Sequence, residues 1–529
     1  MGSFQSLLRN PYVLLCVWTV PILGIGLFAD QSIMAHDEGL YATRAKLMFD
    51  TGDWINPWAE PHHKPPGIYW LIALSYSLFG VNEIALRLPN LVLALGCVLL
   101  VYKIAVSLCD QKIALLAGGI LSLEFLWVRY SYLANPDHIT IFLFLGALNL
   151  CYTAQLTQKI DKRFHLKTID IYLFAVGICF AMMLLFRGFL GLMLIFSLVP
   201  YLIQKRLGQK LSLYVGLSIG LLPLCIWLLL SSQRFGSGSI ESLVNLFVSL
   251  SQEERRGNGY FYYLWTTLGL GFPWVVFAGL GYREILRLCR YQRFLLVIPP
   301  TIIFGAITLY STRLSHYSLA LYPFMAIFTA MAIERASDIH DYQGLLQKTV
   351  RFLCLGLGIF GGIILSFGVG ISLLKAFDLS LFRLDLQQIP RAYLAIAFPL
   401  GLGWLWAGLF AWQRFDQRSV LSLLVGQWLA FVILAGSGLL TDVSPAFKAM
   451  VKQPTIQAIA NTETIAVIGG GKTKVLIRFY FPHIDYQTET IDALKADQYV
   501  WIETEHLPEK DLDYEVIANY NAWQFIQLR

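Results

Sequence analysis

Two acids, Asp37 and Glu38, stand side by side early in the 529-residue chain, and Lys64 follows behind His62-His63 and ahead of Pro65-Pro66. A third acid, Asp137, follows Ala134-Asn135-Pro136, and Arg187 and Arg313 lie in apolar or aromatic surroundings. A carboxylate can take the proton of an attacking hydroxyl. Lysine and arginine can hold an anion and stabilise charge that grows on it. His36, His62 and His63 could offer nitrogen to a metal. Each feature also has a plainer reading. Asp37-Glu38 could be acids favoured at a helix N-terminus, and Asp137 a helix cap after Pro136. Lys64 could be an interfacial lysine that snorkels. Arg187 could sit in a short turn or be a functional charge within the membrane.

Composition says what must position these groups. Hydrophobic residues make up 57% of the chain and charged residues only 14%, against about 25% charged in soluble domains. Apolar runs recur from Val13 to Leu440, so lipid is the expected solvent for most of the chain. Thirteen candidate spans fall near 11–29, 88–108, 113–129, 138–156, 169–186, 189–204, 212–231, 264–282, 294–310, 317–334, 350–375, 392–412 and 419–440. The first reads as a retained helix and not a cleaved signal, because no small-residue cleavage site follows it. The eight cysteines fall in apolar runs or basic loops, so neither disulfides nor a cysteine metal site is expected.

The net charge of +6 is spread over short basic clusters, which excludes a nucleic-acid groove. The clusters Lys159, Lys162, Arg163 and Lys167; Lys205, Arg206 and Lys210; Arg283, Arg287, Arg290 and Arg293; and Arg414 and Arg418 alternate as cytoplasmic loops should. The other side then receives residues 30–87, the turn 130–137, the loop 232–263 and the tail from 441. Within 30–87, the stretches Glu38–Phe49 and Gly67–Phe79 are too short or too polar to span and read as interfacial helices. The aromatics Tyr260 to Tyr263 suit a membrane-interface belt as well as a sugar site.

The tail, 441–529, differs in kind. Twelve acidic residues outnumber eight basic ones, and Thr464–Ile468, Val475–Phe481 and Gln498–Thr504 read as strands. A small soluble α/β domain is expected. Gly469-Gly470-Gly471 after the first strand could be a phosphate loop, although a plain turn is the stronger reading because no full glycine motif is present.

The runs Asp37-Glu38-Gly39-Leu40-Tyr41-Ala42, Gly52-Asp53-Trp54-Ile55-Asn56-Pro57, Lys64-Pro65-Pro66-Gly67-Ile68-Tyr69-Trp70, Leu78-Phe79-Gly80 and Arg87-Leu88-Pro89 resemble the first outer loop of one superfamily. It contains the lipid A aminoarabinose transferases and the protein O-mannosyltransferases, and it has the GT-C fold. The resemblance implies an α-helical polytopic membrane domain over 1–440, with about 13 transmembrane helices, and a small C-terminal α/β domain over 441–529. It implies transfer of a sugar from a polyprenyl-phosphate donor to a lipid, glycan or protein acceptor. That chemistry would lie at the outer face of a bacterial inner membrane, the periplasmic side, and proceed by inverting displacement. The implied catalytic acids are Asp37, Glu38 and Asp137. The implied phosphate ligands are Lys64, Arg187 and Arg313, and Tyr41, Tyr262, Tyr263 and Tyr317 would touch substrate. The segment 232–263 would cover the site. The chain departs from the family at His63, where relatives often carry Glu, and no histidine stands in 232–263. A divalent metal ion at His63 therefore stays an open alternative. A transporter or flippase of lipid-linked sugars would also use many helices and a basic pocket, but no inverted repeat or paired broken helices are visible.

Overall fold

The computed structural model describes residues 10–58, 60–160, 166–252, 258–337, 344–376, 390–488, 490–507 and 513–529. Its helices are α1 (Pro11–Ile25), α2 (Asp37–Thr51), α3 (Gly67–Phe79), α4 (Glu83–Leu108), α5 (Gln111–Leu121), α6 (Phe125–Ser131), α7 (Asp137–Ile160), α8 (Leu166–Arg187), α9 (Phe189–Gln204) and α10 (Leu211–Phe235). There follow α11 (Gly238–Gln252), α12 (Tyr262–Leu270), α13 (Trp274–Ile285), α14 (Arg290–Leu309), α15 (Tyr322–Ser337), α16 (Leu345–Ala376), α17 (Arg391–Ala411) and α18 (Gln417–Gly436).

All thirteen apolar segments are helical, but they are not all simple spans. Among the described residues, nine helices are long and apolar enough to cross a membrane, and two bent pairs could add to them. The stretch expected as one span at 264–282 is the pair α12–α13, bent by 109°. Gly271 closes α12, its N–H bonded to Thr267 O, and Pro273 has no N–H to carry the ladder on. The pair α5–α6 bends by 61°. Helices α1 and α9, of 15 and 16 residues, fall short of the roughly 20 residues a bilayer asks for. The spans meet closely through small residues. A Cβ on Gly358 would lie 2.7 Å from Gly408 Cα, and one on Gly403 would lie 2.5 Å from Gly426 Cα. Such backbone approach is how helices associate where lipid removes the hydrophobic drive between them.

The two segments expected as interfacial helices are helical, α2 over Asp37–Thr51 and α3 over Gly67–Phe79. The covering segment 232–263 is more ordered than a loop: α10 runs on to Phe235, and α11 fills Gly238–Gln252. Residues 253–257 lie outside the described set, as do Lys162 and Arg163 of the first basic cluster.

After α18 come α19 (Pro445–Val451), α20 (Pro454–Thr462), β1 (Ile465–Ile468), α21 (Gly471–Tyr480), β2 (Ile484–Asp485), β3 (Tyr499–Glu503), β4 (Tyr514–Tyr520) and β5 (Trp523–Leu528). The sheet order is β2-β1-β3-β5-β4. β1 runs parallel to β2 and β3, while β5 runs antiparallel to β3 and β4. The segment expected as a strand at Val475–Phe481 is instead helix α21. Its β-branched and aromatic run is equally readable as a short buried helix, and α21 buries Leu476, Ile477 and Phe479. The glycine triplet forms the turn into α21, and Gly470 N–H donates to the Glu503 carboxylate at 3.0 Å. A side chain of the protein itself thus takes the place where an anion would sit at this helix start.

This C-terminal region packs directly on α2. Ile33 N–H, just before α2, donates to the Tyr480 hydroxyl at 3.0 Å. A Cβ on Gly39 would meet Val475 Cγ1 at 2.5 Å. The Lys46 ammonium, 2% exposed, donates to Arg478 O at 2.9 Å and Phe481 O at 2.5 Å. Burial brings the Lys46 pKa down from 10.5 to about 8, with Asp50 opposing. The unfolded chain therefore binds more protons than the folded one between about pH 8 and 10.5, and stability from this group rises with pH across that window. Relative to Lys46→Met, the wild-type thermal midpoint is expected to climb from pH 8 to 10.5, as followed by heating and size exclusion. A flat difference would contradict the assignment.

Candidate active site

The site is assembled where two chain segments press together. Gly67, after Lys64-Pro65-Pro66, opens α3, and a Cβ there would lie 2.7 Å from Leu185 O of α8. Gly188, which ends α8 after Arg187, has φ +60°, and a Cβ on it would meet Pro65 at 3.3 Å. A left-handed turn of that kind favours glycine. These two glycines let the lysine-bearing turn sit against the end of α8, so Lys64 and Arg187 reach one cavity of about 540 Å³. Asp37 and Tyr41 enter it from the start of α2, Asp137 from the start of α7, and His316 and Tyr317 from the 3₁₀ turn Ser315–Leu321. Leu243 and Leu246 of α11 complete its wall. A second, mostly apolar cavity of about 260 Å³ lies between α9 and α14 and shares Asp137, Arg187, His316 and Tyr317 with the first.

The charged groups divide by how fully they are engaged. Arg187 Nη2 lies 2.8 Å from Asp137 Oδ1, with both side chains largely buried, and the guanidinium stands 5.7 Å from the Tyr317 ring centre. Lys64 Nζ donates to the Tyr41 hydroxyl at 3.2 Å and lies 4.8 Å from that ring's centre. Burial lowers the Lys64 pKa; Tyr69 and Asp37 pull the other way, and Arg187 and Arg44 add to the lowering. Asp37 is the open acid: its carboxylate is 55% exposed, and its nearest ionic neighbour is His36 Nδ1 at 3.4 Å.

Glu38, beside it, is differently placed. It is 1% exposed, and its oxygens accept from Arg87 Nε at 2.7 Å, Arg87 Nη2 at 3.0 Å and Met34 N–H at 2.9 Å. It borders the cavity, but its lone pairs serve a buried ion pair with α4, so a catalytic part for it has no free oxygen to work with. Three further residues expected at the site are not among those lining either cavity. The Arg313 guanidinium donates to Asn258 O at 2.5 Å and Thr308 O at 3.1 and 3.2 Å, and lies over Tyr260. Tyr263 exchanges hydrogen bonds with the backbone of Leu314 at 3.2 Å, and Tyr262 packs against it. Tyr262 and Tyr263 open α12, which packs on the 3₁₀ segment that carries Tyr317. Glu124 is wholly buried, and neither of its oxygens has a hydrogen-bond partner among the described residues.

Among the described residues, no group of three or more His, Cys, Asp or Glu side chains is arranged to hold a metal ion. The surroundings of His63 also suit a dication poorly. Burial, with the Arg44 and Lys64 charges, pulls its pKa down to about 4, and those same cations would repel a metal. Sequence reasoning missed Arg44 and His316. Arg44 lies on the face of α2 that carries Tyr41, at helical spacing, and its Nη1 stands 2.9 Å from Nδ1 and 2.8 Å from Nε2 of His62, one of which accepts its hydrogen bond. His62 in turn bonds the Tyr69 hydroxyl at 2.7 Å, and Tyr69 packs on Tyr41. His316 was detectable only as the neighbour of Tyr317.

Residues 63–229 match the family described as dolichyl-phosphate-mannose-protein mannosyltransferase. The fold decides more. The crystal structure of ArnT from Cupriavidus metallidurans bound to undecaprenyl phosphate superposes with a TM-score of 0.74, covering 98% of this chain and 97% of that one at 18% identity. The chain has the GT-C fold. An Archaeoglobus fulgidus oligosaccharyltransferase is similar at a TM-score of 0.53 and 12% identity, over 90% of this chain and 64% of that one. An undecaprenyl phosphate-alpha-4-amino-4-deoxy-L-arabinose arabinosyl transferase of Pseudomonas fluorescens is 26% identical over 294 residues, half of each chain. An uncharacterised Aquifex aeolicus protein is 26% identical over 57% of this chain and 59% of that protein. The chain thus spans about half the length of the curated relatives it matches. With this fold and nine apolar helices long enough to cross a membrane among the described residues, this chain is an integral multi-pass membrane protein.

Proposed function

We propose that this GT-C protein moves a sugar from a polyprenyl-phosphate donor to an acceptor at the outer, periplasmic face of a bacterial inner membrane. The observation that carries the reading is the meeting of Asp37, Lys64, Asp137 and Arg187, from four separate segments, in one cavity. The donor's phosphate lies against Lys64 and Arg187. Lys64 has a single hydrogen-bond partner among the described residues, which leaves most of its donor capacity for an anion. Arg187 is aimed by Asp137. Asp37, the open carboxylate, takes the proton of the acceptor hydroxyl. The acceptor oxygen bonds to the anomeric carbon as the sugar–phosphate bond breaks, and the phosphate oxygen leaves with the electron pair, held by the two cations. One displacement inverts the anomeric centre. The apolar second cavity beside Arg187 suits prenyl chain. Tyr41 and Tyr317 serve the phosphate through the cations they touch, and Glu38 serves the fold.

Purified protein in vesicles with a labelled polyprenyl-phosphate sugar should release lipid phosphate and label an acceptor. Movement of intact lipid across the vesicle with no release would support the transporter alternative instead. Lys64→Met should weaken lipid-phosphate binding by about 10- to 100-fold, the worth of one or two charge-assisted hydrogen bonds, measured by thermal shift against added polyprenyl phosphate. Unchanged binding would remove Lys64 from the phosphate site.

A further inference from the structure

The acid proposed as base sits on a helix held from both sides. On the membrane side, Glu38 of α2 is paired with Arg87. On the other side, α21 and the residues just after it tie α2 down, beside its packing on α3. Tyr480 bonds Ile33 ahead of the helix, Val475 abuts Gly39, and the Tyr486 hydroxyl approaches Asp50 at 3.5 Å near the helix end. Lys46 is the central tie. Its ammonium bridges two carbonyls, Arg478 O and Phe481 O, at the carboxyl end of α21. Cations are favoured there by unpaired carbonyls and by the helix dipole. The groups facing Lys46 are Asp50 at 4.0 Å on its own helix, backed by His483 and Tyr486, and Arg478, whose guanidinium lies over Tyr486.

A lysine so buried costs stability while charged. A methionine would fill the same volume without that cost, so the ammonium is explained by what it fixes. We propose that Lys46 is a positioning residue for the transfer reaction: by tying α2 to the end of α21, it makes the C-terminal region hold Asp37 at the cavity. This rests on the proposed transferase activity. It goes beyond that reading by giving the C-terminal region a part in setting the base. A shift of the base by about an ångström can cost up to a hundredfold in rate, whereas the phosphate ligands Lys64 and Arg187 lie on other segments and stay in place.

The test uses the full chain as wild type, Lys46→Met, Lys46→Arg and Tyr480→Phe. Lys46→Met is expected to lower kcat about tenfold or more, with KM for the polyprenyl-phosphate sugar within about twofold, and to speed hydrogen exchange over residues 33–51. Lys46→Arg, which can still bridge both carbonyls, recovers most of kcat and protection. Tyr480→Phe, which loses the Ile33 tie and no charge, moves both readouts the same way by a smaller amount and decides the matter if Lys46→Met does not fold. Wild-type kcat and exchange in both Lys46→Met and Tyr480→Phe would overturn the proposal. So would equal impairment in Lys46→Met and Lys46→Arg. If the wild type transfers no sugar, the activity reading falls, while exchange over 33–51 still decides the tie.

Discussion

Replacing Arg187 with methionine is expected to abolish sugar transfer, by about 100- to 1000-fold or more, the usual cost of losing one charge stabiliser of a leaving group. The same change also strikes the fold. Asp137 Oδ1 accepts from Arg187 at 2.8 Å, with both groups mostly buried. Removing one partner of such a pair costs about 3–5 kcal/mol, because the other is left charged and unsolvated. A dead single variant would therefore be ambiguous. The pair of variants separates the causes. Arg187→Met with Asp137→Asn removes both charges, so folded yield and thermal midpoint should return toward wild type. Transfer and lipid-phosphate binding should stay lost. Arg187→Lys keeps a charge but not the planar fork, and should fall between. If the double variant transferred sugar at the wild-type rate, Arg187 would be a structural residue and the phosphate would have to be held elsewhere.

The geometry behind this expectation was partly legible in the chain. Apolar helices came from run length, because lipid imposes it. The helices α2 and α3 came from runs too short or too polar to cross. What could not be read was how segments break and turn. The α12–α13 bend depends on Gly271 and Pro273 acting together inside an apolar run, and Tyr262, Tyr263 and Arg313 lie outside the lining of the cavity. The run Val475–Phe481 has strand composition, yet it folds as α21 because its buried face is satisfied against β1, α2 and α19. Period and propensity give way to such tertiary packing in short segments. Likewise, nothing local separates Glu38 from Asp37. Only the arrival of Arg87, far along the chain, tells which acid is spent.

That difference gives the sharpest comparison. Asp37→Asn is expected to lower kcat by about 100- to 10,000-fold, the range for losing a general base, with little change in thermal midpoint or lipid-phosphate affinity. The reason is local: the carboxylate is 55% exposed, and its nearest ionic contact is a histidine at 3.4 Å, so the fold gains little from its charge. Glu38→Gln should behave in the opposite way. Its partner Arg87 is 3% exposed, and losing the charge leaves that guanidinium buried without its counter-ion, at about 3–5 kcal/mol. Folded yield falls first, and whatever folds should still transfer. Measuring kcat beside the melting midpoint for both variants distinguishes them, since one loss appears in rate and the other in stability. Normal transfer by Asp37→Asn would leave the acceptor proton without its proposed base. Asp137 could not simply replace it, because its carboxylate is already engaged in aiming Arg187, and taking a proton there would loosen the grip on the leaving phosphate just as charge builds on it.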